Sequence, residues 1–184
     1  MTYQESGLKD HFNRMKIDIE AAVLSKLRKP LKLLSMYSNE LKDGQVLVKI
    51  IYSGVCGSQL MEIDGFRGKD PYLPHCLGHE ASGIVINCGN GVSKVKVGDK
   101  VILTWLKCSG IDAENPKYYS TERRKINAGK ITTFSNYTIV SENRIVKKPK
   151  TLDMKEAVLY GCALPTGFGM VVNQVKPLKK NTIL

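Results

Sequence analysis

Short apolar segments separated by turn residues run through most of the chain, and this pattern limits the possible folds more than any other feature. The segments with strand character are 15–24, 30–36, 46–52, 78–87, 100–105, 134–140 and 144–147. Turn signals such as Asp43-Gly44 and Val97-Gly98-Asp99 separate them. After Pro149 the apolar period becomes helical, and Pro177 is expected to end that helical region. The pattern predicts a mainly β (α+β) domain, either a sandwich or a barrel, with helices at its end.

Three regions depart from the strand pattern. Residues 1–14 are polar and aperiodic, so we expect an N-terminal extension outside the fold. Residues 58–63 suit one or two helical turns. Residues 106–131 are polar and contain Pro116 and Gly129, which predicts a long irregular excursion.

Composition excludes several classes of protein. The chain has 184 residues and is 42% hydrophobic, which is enough to bury a core without disulfides and argues against disorder. No apolar run approaches the roughly 20 residues of a membrane-spanning helix, so we expect no membrane partner. The first residues lack the apolar stretch of a secretory signal. The expected location is the cytoplasm.

Positive charge is concentrated in the second half of the chain. The net charge is +11, from 28 Lys+Arg against 17 Asp+Glu, and almost all of the excess lies in residues 93–184. Such asymmetry indicates an anion-binding face, a solvated basic surface or a face for an acidic neighbour. The basic residues are scattered and lack interleaved aromatic side chains, and no nucleic-acid-binding motif is present. We therefore predict no nucleic-acid partner.

The cysteines do not form a disulfide framework. They are odd in number and include no Cys-x-x-Cys pair: Cys56, Cys76, Cys88, Cys108 and Cys162. Without a secretory signal this usage favours free thiols, and a zinc finger is excluded by the spacing.

Soft ligands for one metal ion are nevertheless available. Cys56 lies between glycines, His79 precedes Glu80, and Cys162 follows Gly161. A catalytic zinc uses three such protein ligands and keeps one open position. Taken singly, each residue also suits a plainer role, as a small buried cysteine or as a hydrogen-bonded histidine in a turn. Spacing alone leaves both interpretations open.

Several longer motifs occur together with these residues. They are Gly-Val-Cys-Gly-Ser at 54–58, Pro-His-Cys-Leu-Gly-His-Glu-Ala-Ser-Gly at 74–83, Val-Gly-Asp-Lys-Val at 97–101, Thr-Thr-Phe-Ser-Asn-Tyr at 132–137 and Gly-Cys-Ala-Leu-Pro-Thr-Gly-Phe-Gly at 161–169. In this order they resemble the catalytic domain of the zinc-dependent medium-chain alcohol dehydrogenases. The resemblance runs from about residue 15 to residue 184.

The resemblance implies a GroES-like, partly open β-barrel over 15–184, with a catalytic zinc held by Cys56, His79 and Cys162. It also implies that Glu80 approaches the metal during ligand exchange and that Ser58 takes the proton of the alcohol. Zinc would act as a Lewis acid on the alcohol oxygen, and the alcohol carbon would give hydride to NAD or NADP. His75 and Cys76 fall on linker positions of the family.

Two departures from the family pattern affect the expected site. Gln59 replaces an Asp that orients the histidine ligand, so an amide oxygen is expected to accept the imidazole N–H without adding negative charge. Met61 replaces a histidine of the proton relay, so the proton would leave through water or the cofactor ribose.

Two further departures concern whole segments. The region that would carry a structural zinc contains only Cys108, so no structural zinc is expected and the loop at 110–130 is expected to replace that lobe. Family members are about twice as long and carry a doubly wound (Rossmann) domain with a glycine-rich turn. That turn is absent here, and residues 181–184 are interpreted as the start of its first strand.

These features predict the catalytic domain of a zinc-dependent alcohol or polyol dehydrogenase that is inactive without a dinucleotide-binding domain. NAD or NADP would bind only with that domain. The expected partners are a small alcohol or sugar substrate, and either further copies of the chain or a separate dinucleotide-binding chain. The alternative is a non-catalytic GroES-like subunit or interaction module.

Overall fold

The computed structural model of the chain describes residues 16–182. The strands, which pair in antiparallel ladders, are β1 (Ile17–Leu24), β2 (Lys32–Ser38), β3 (Gln45–Ser53), β4 (His75–Cys76), β5 (Glu80–Cys88), β6 (Lys100–Thr104), β7 (Tyr118–Ser120), β8 (Lys125–Ile126), β9 (Tyr137–Ser141) and β10 (Ile145–Lys147). The helices are α1 (Gly57–Ile63), α2 (Met154–Ala157) and α3 (Ala163–Met170), with 3₁₀ turns at Glu142–Arg144 and Val158–Gly161 and a π-helical turn at Val171–Val175. The predicted mainly β architecture with a few short helices is confirmed. The extension expected at 1–14 lies outside the described residues.

The strands form two sheets that meet along one short segment. The first sheet has the order β4-β1-β2-β7-β8, and the second has the order β10-β6-β5-β3-β9. Asn136 joins them, because its N–H donates to the Glu20 carbonyl at 3.0 Å and its carbonyl accepts the Ile50 N–H at 2.9 Å. This junction closes one side of the barrel. Asn127, directly after β8, forms a parallel bridge with His75 of β4 and so links the two edges of the first sheet.

The buried apolar residues form two clusters, and the first contains Leu47 of β3 and Ile139 of β9 as well as residues of the first sheet. Ile19, Ala21 and Val23 alternate along β1 and pack inward in the first sheet, as the period of two requires. The core of the second sheet includes Val48 of β3 and Val85 of β5, both fully buried. These cores fix the ends of the strands from which the candidate site is built.

The second half of β3 is more exposed than the sequence suggests. The prediction of a largely buried strand holds for Gln45 to Val48, but Ile51 and Tyr52 are exposed. The pairing of β3 with β5 shifts register between Ile50 and Tyr52. A register irregularity turns the following side chains away from the core.

Most of the region 106–131 is irregular, as its composition indicates, but the region also contains two short strands. These are β7 and β8, which extend the first sheet beyond β2. Tyr118 of β7 is fully buried, and its hydroxyl accepts the Ile139 N–H at 2.9 Å. The sequence does not indicate these two strands, because they are stabilised by tertiary pairing and are too short to show a sequence period.

The Glu142 carboxylate holds the backbone at Ile111, near the start of the region 106–131. The carboxylate accepts backbone N–H groups from Ser93 at 2.7 Å, Lys94 at 2.8 Å and Ile111 at 2.7 Å. Burial tends to raise the pKa of Glu142, but the three N–H donors outweigh burial and leave the pKa below its ordinary value. A buried carboxylate therefore ties the loop at 111 to the turn at 93–94.

The end of the described chain is helical, as predicted. Asp153 caps α2 by accepting the Lys155 N–H at 2.7 Å, and the last helical turn ends at Val175, before Pro177. Asn181 and Thr182 have no regular structure, and the rest of the strand start expected at 181–184 lies outside the described residues.

One bent helical pair bears on the membrane question. No single helix in the described part of the chain is long and apolar enough to cross a membrane. Met154–Gly161 and Ala163–Val175 pass that test only when they are taken together, and they are bent by 53° at the break between them.

Candidate metal centre

The three cysteine and histidine residues predicted to share a site converge at the ends of secondary-structure elements. Cys56 precedes α1, His79 ends the loop before β5, and Cys162 precedes α3. One ligand atom from each lies within 4.8 Å of the corresponding atoms of the other two. Residues that are far apart in the sequence therefore form one cluster of two thiols and one imidazole.

The orientation of the His79 ring is set by Gln59. Nε2 of Gln59 lies 2.5 Å from Nδ1 of His79, and Oε1 of Gln59 accepts the Cys56 N–H at 2.8 Å. The amide nitrogen therefore faces the imidazole, where the sequence led us to expect the amide oxygen. Gln59 is buried in the first turn of α1, so one side chain holds two members of the cluster.

The other nitrogen of His79 has no protein partner. Nε2 is buried without a hydrogen bond, which is costly unless another group satisfies it. Since Nδ1 faces Gln59, Nε2 is the nitrogen available to a metal ion. Burial lowers the pKa of His79, although the charge of Glu80 opposes this effect. A lowered pKa favours the neutral imidazole, which is the form that binds metals.

The two thiols have different acidities. The pKa of Cys56 is lowered because the Ser58 N–H and hydroxyl donate to its sulfur. Burial raises the pKa of Cys162, and the nearby Cys56 sulfur raises it further. Cys56 is therefore the first of the two thiols to ionise as the pH rises.

Glu80 and two glycines fix the turn that carries Cys162. Oε2 of Glu80 accepts the Ala163 N–H at 3.1 Å, and the Thr104 hydroxyl donates to the Gly161 carbonyl at 2.6 Å. A Cβ atom on Gly161 would lie 2.3 Å from the Leu103 carbonyl oxygen. A Cβ atom on Gly54 would lie 2.4 Å from Oε1 of Glu80. The buried Glu80 side chain thus packs against Gly54, a position that has no room for a side chain.

Of the remaining positions that the sequence analysis singled out, Ser58 contacts the cluster. Ser58 is half-buried in the first turn of α1 and contacts Cys56. Met61 is exposed on the same helix. Cys108 lies in the loop before β7, where its thiol donates to the Leu106 carbonyl.

Sequence reasoning missed the threonines around the site. Thr104 holds Gly161, and the Thr166 hydroxyl lies 3.9 Å from the Cys162 sulfur. Thr133 donates to the Glu80 carbonyl at 3.3 Å and accepts from the Ser53 hydroxyl. Thr133 and Thr166 belong to the quoted motifs, but only the fold indicates which hydroxyl faces which neighbour.

Known proteins of one family are similar to this chain in sequence and in fold. The family model of the alcohol dehydrogenase GroES-like domain matches residues 42–150, more than half of the chain. Alcohol dehydrogenase 6 of Peromyscus maniculatus is 31% identical over an aligned length of 183 residues. The match covers 87% of this chain and 48% of that protein. The chain therefore spans about half the length of this curated relative.

Solved structures have the same architecture. Benzyl alcohol dehydrogenase from Acinetobacter calcoaceticus has a TM-score of 0.67 and 29% identity, over 87% of this chain and 49% of that one. An alcohol dehydrogenase zinc-binding domain protein from Burkholderia ambifaria has a TM-score of 0.76 and 24% identity, over 88% and 50% of the two chains. Because its sequence identity is only 24%, the Burkholderia ambifaria structure supports the fold alone. Together with the family match, these similarities show that the chain belongs to the alcohol dehydrogenase family and that its fold is the GroES-like domain.

Proposed function

We propose that Cys56, His79 and Cys162 hold a catalytic zinc ion and that this domain is the zinc- and alcohol-binding part of an alcohol or polyol dehydrogenase. The observation that carries the proposal is the buried, unpartnered Nε2 of His79, which belongs to a cluster with two thiols. Two sulfurs and one imidazole nitrogen form a donor set that zinc prefers. A zinc ion bound there supplies a Lewis acid that polarises an alcohol oxygen and favours loss of its proton.

The chain's own residues would orient the ligands and move the proton. Gln59 holds the His79 ring and the Cys56 backbone, and Glu80 holds the turn at Cys162 through the Ala163 N–H. Ser58 is placed beside Cys56, where its hydroxyl is suited to accept the proton of a bound alcohol. Because Met61 has no acid–base group, that proton would pass from Ser58 to water or to the cofactor ribose.

Hydride acceptance would require a dinucleotide-binding unit in addition to the described residues. Residues 16–182 contain no doubly wound sheet, and the chain spans about half the length of its curated relative. The C-terminal helical segment exposes apolar side chains, with Phe168 72% exposed and Val175 55% exposed. Such a face, next to the turn of Cys162, suits docking of the unit that carries NAD or NADP.

We propose one catalytic zinc and no structural zinc, because the loop expected to replace the structural lobe contributes only Cys108. The test is elemental analysis of the chain after loading with zinc and dialysis. One zinc per chain is expected for the unaltered chain and for Cys108→Ser, and a large loss is expected for His79→Asn. Full zinc retention by folded His79→Asn would contradict the assignment, and circular dichroism would establish that the variant is folded.

A further inference from the structure

A second group of metal-ligating side chains lies outside the Cys56–His79–Cys162 cluster. Glu62 of α1, Asp70 of the following loop and His75 of β4 place one donor atom each within 4.8 Å of the others. Nε2 of His75 lies 2.7 Å from Oδ2 of Asp70 and 3.7 Å from Oε1 of Glu62. The sequence places His75 on a linker position, so this convergence is visible only in the fold.

The orientation of the His75 ring suits a metal ligand. The side chain is buried, and Nδ1 lies 3.2 Å from the Cys76 carbonyl oxygen, to which it can donate its proton. A histidine ligand commonly donates one ring N–H to a carbonyl, because this fixes the nitrogen that faces the metal. Here Nε2 is the nitrogen that faces both carboxylates.

The negative charges of Glu62 and Asp70 favour a bound cation between them. In the described chain, the ion pairs of Glu62 and Asp70 are both made with the His75 ring. Burial tends to raise the pKa of Asp70, but the Tyr72 N–H and His75 outweigh burial and leave the pKa lowered. Two carboxylates therefore share a single imidazole, and the exposed fraction of the side chain is 9% for His75, 13% for Asp70 and 37% for Glu62.

Space for additional ligands is present beside the group. A cavity of about 530 Å³ is lined by Glu62 and His75, and a second cavity of about 180 Å³ is lined by Glu62 and Asp70. Water molecules in these cavities could complete the coordination of an ion held by three protein atoms. Gln59 and His79 also line the larger cavity, so this cavity adjoins both groups of ligands.

From this arrangement we infer that Glu62, Asp70 and His75 form a second metal site, for a divalent cation that prefers oxygen and nitrogen ligands, such as Mn²⁺. Two carboxylates and one imidazole accept Mn²⁺ as well as zinc, whereas the two thiols of the other cluster favour zinc over Mn²⁺. An ion there would tie α1 and its following loop to β4. It would take the place of the proton that now lies between His75 and Asp70.

The test is titration with Mn²⁺ of the chain loaded with one molar equivalent of zinc, followed by electron paramagnetic resonance of the free ion. We expect one Mn²⁺ bound per chain, and loss of that binding in Glu62→Gln. Glu62 is the most exposed of the three residues, so this change should leave the fold intact. Glu122→Gln removes an exposed carboxylate elsewhere and should bind Mn²⁺ like the unaltered chain.

A second pair of variants separates this site from the proposed zinc site. Asp70→Asn should lose Mn²⁺ and keep its zinc, whereas Cys162→Ser should lose zinc and keep Mn²⁺. The inference is overturned if the unaltered chain binds no Mn²⁺, or if folded Glu62→Gln and Asp70→Asn bind it as the unaltered chain does. In that case the group is an internal ion pair that fastens the loop.

Discussion

Nε2 of Gln59 lies 2.5 Å from Nδ1 of His79, and the same amide gives its oxygen to the Cys56 N–H. In this arrangement the amide donates to Nδ1, so the imidazole proton resides on Nε2. A metal ion on Nε2 would move that proton to Nδ1, and the amide would then have to turn and release Cys56. Gln59 therefore opposes the protonation state that a metal-bound His79 requires.

The first prediction follows from this conflict. Gln59→Glu replaces the amide with two acceptor oxygens, so one can hold the Cys56 N–H while the other accepts Nδ1–H. We expect zinc to bind more tightly, by roughly 10–100-fold, as is typical for partners of a ligand histidine. Gln59→Leu removes the conflict but also the two hydrogen bonds that position His79 and Cys56, so it should lack the gain of Gln59→Glu. Competition with a chromophoric chelator measures the zinc affinity of each variant. Equal zinc affinities in the unaltered chain, Gln59→Glu and Gln59→Leu would contradict the role that we give Gln59 in orienting His79. Gln59→Asp, the residue type found in the family, should tighten binding less, because its shorter side chain reaches less far.

Cys162→Ser should lower the zinc content of the chain strongly. The hydroxyl of serine ionises far less readily than a thiol and is a poor ligand for zinc. Cys108→Ser is the matched control, since Cys108 is a free cysteine that does not belong to the Cys56–His79–Cys162 cluster. Elemental analysis after dialysis gives the readout, and unchanged zinc in folded Cys162→Ser would rule out this ligand.

Gly161→Ala should disturb the turn that carries Cys162. The added Cβ would lie 2.3 Å from the Leu103 carbonyl oxygen and 2.7 Å from Cβ of Glu80, so the backbone must shift. Overpacking of this kind typically costs about 1–3 kcal/mol of unfolding free energy, and zinc content should fall as well. Gly167→Ala is the control, because a Cβ there meets no atom within 4 Å. Urea unfolding compares the variants, and equal stability of Gly161→Ala and Gly167→Ala would be the contrary result.

Glu142→Gln should destabilise the domain at neutral pH. A neutral amide cannot accept three N–H groups as a carboxylate does, and each hydrogen bond to a charged group is worth about 1.5–3 kcal/mol. We expect a loss of that order, whereas Glu122→Gln on the surface should change stability by less than about 0.5 kcal/mol.

The pH dependence of unfolding tests the same carboxylate. Because the folded-state pKa of Glu142 is lowered, its stabilisation is complete above the unfolded pKa near 4.5 and is lost as the pH falls through the folded value. The difference between the unaltered chain and Glu142→Gln should therefore shrink as the pH is lowered below that range. Urea unfolding at pH 7 and pH 4 gives the comparison, and a difference that grows at pH 4 would refute the assignment.

The 184-residue chain by itself should neither bind NAD or NADP tightly nor oxidise alcohols. The described residues contain no doubly wound unit whose helix N-terminus could hold a pyrophosphate. Attraction by the basic half of the chain should disappear at about 0.15 M salt, where the screening length is about 8 Å. Calorimetric titration at that salt concentration measures binding, and salt-resistant micromolar affinity would overturn the prediction.

The sequence predicts the longer strands well and the short ones poorly. β1, β2, β5 and β6 lie within a few residues of their predicted bounds, because each carries enough apolar period to be recognised. β7 and β8 have three and two residues, and they exist because β2 offers them an edge. Pairing between distant segments of this kind leaves no local signal.

For the candidate site, too, the sequence indicates some features, and only the fold shows the others. Cys56, His79 and Cys162 are identified from motifs, and their convergence agrees with that expectation. The motifs do not indicate which atom of Gln59 faces His79, because an amide has an acceptor and a donor at the same distance from its backbone. The bond from Glu80 to Ala163 likewise depends on how the turn at Cys162 packs against β5.

The distance along the chain between the two thiols gives the proposed zinc a second effect. Cys56 and Cys162 are more than a hundred residues apart, and four of the five strands of the second sheet lie between them. An ion bound to both sulfurs would cross-link the chain and close a loop around that sheet. If the cross-link acts on the unfolded chain as a disulfide does, closing a loop of this length removes entropy that corresponds to roughly 4–5 kcal/mol. Zinc would then fasten the barrel to its C-terminal helices, and its removal should loosen that end of the domain first.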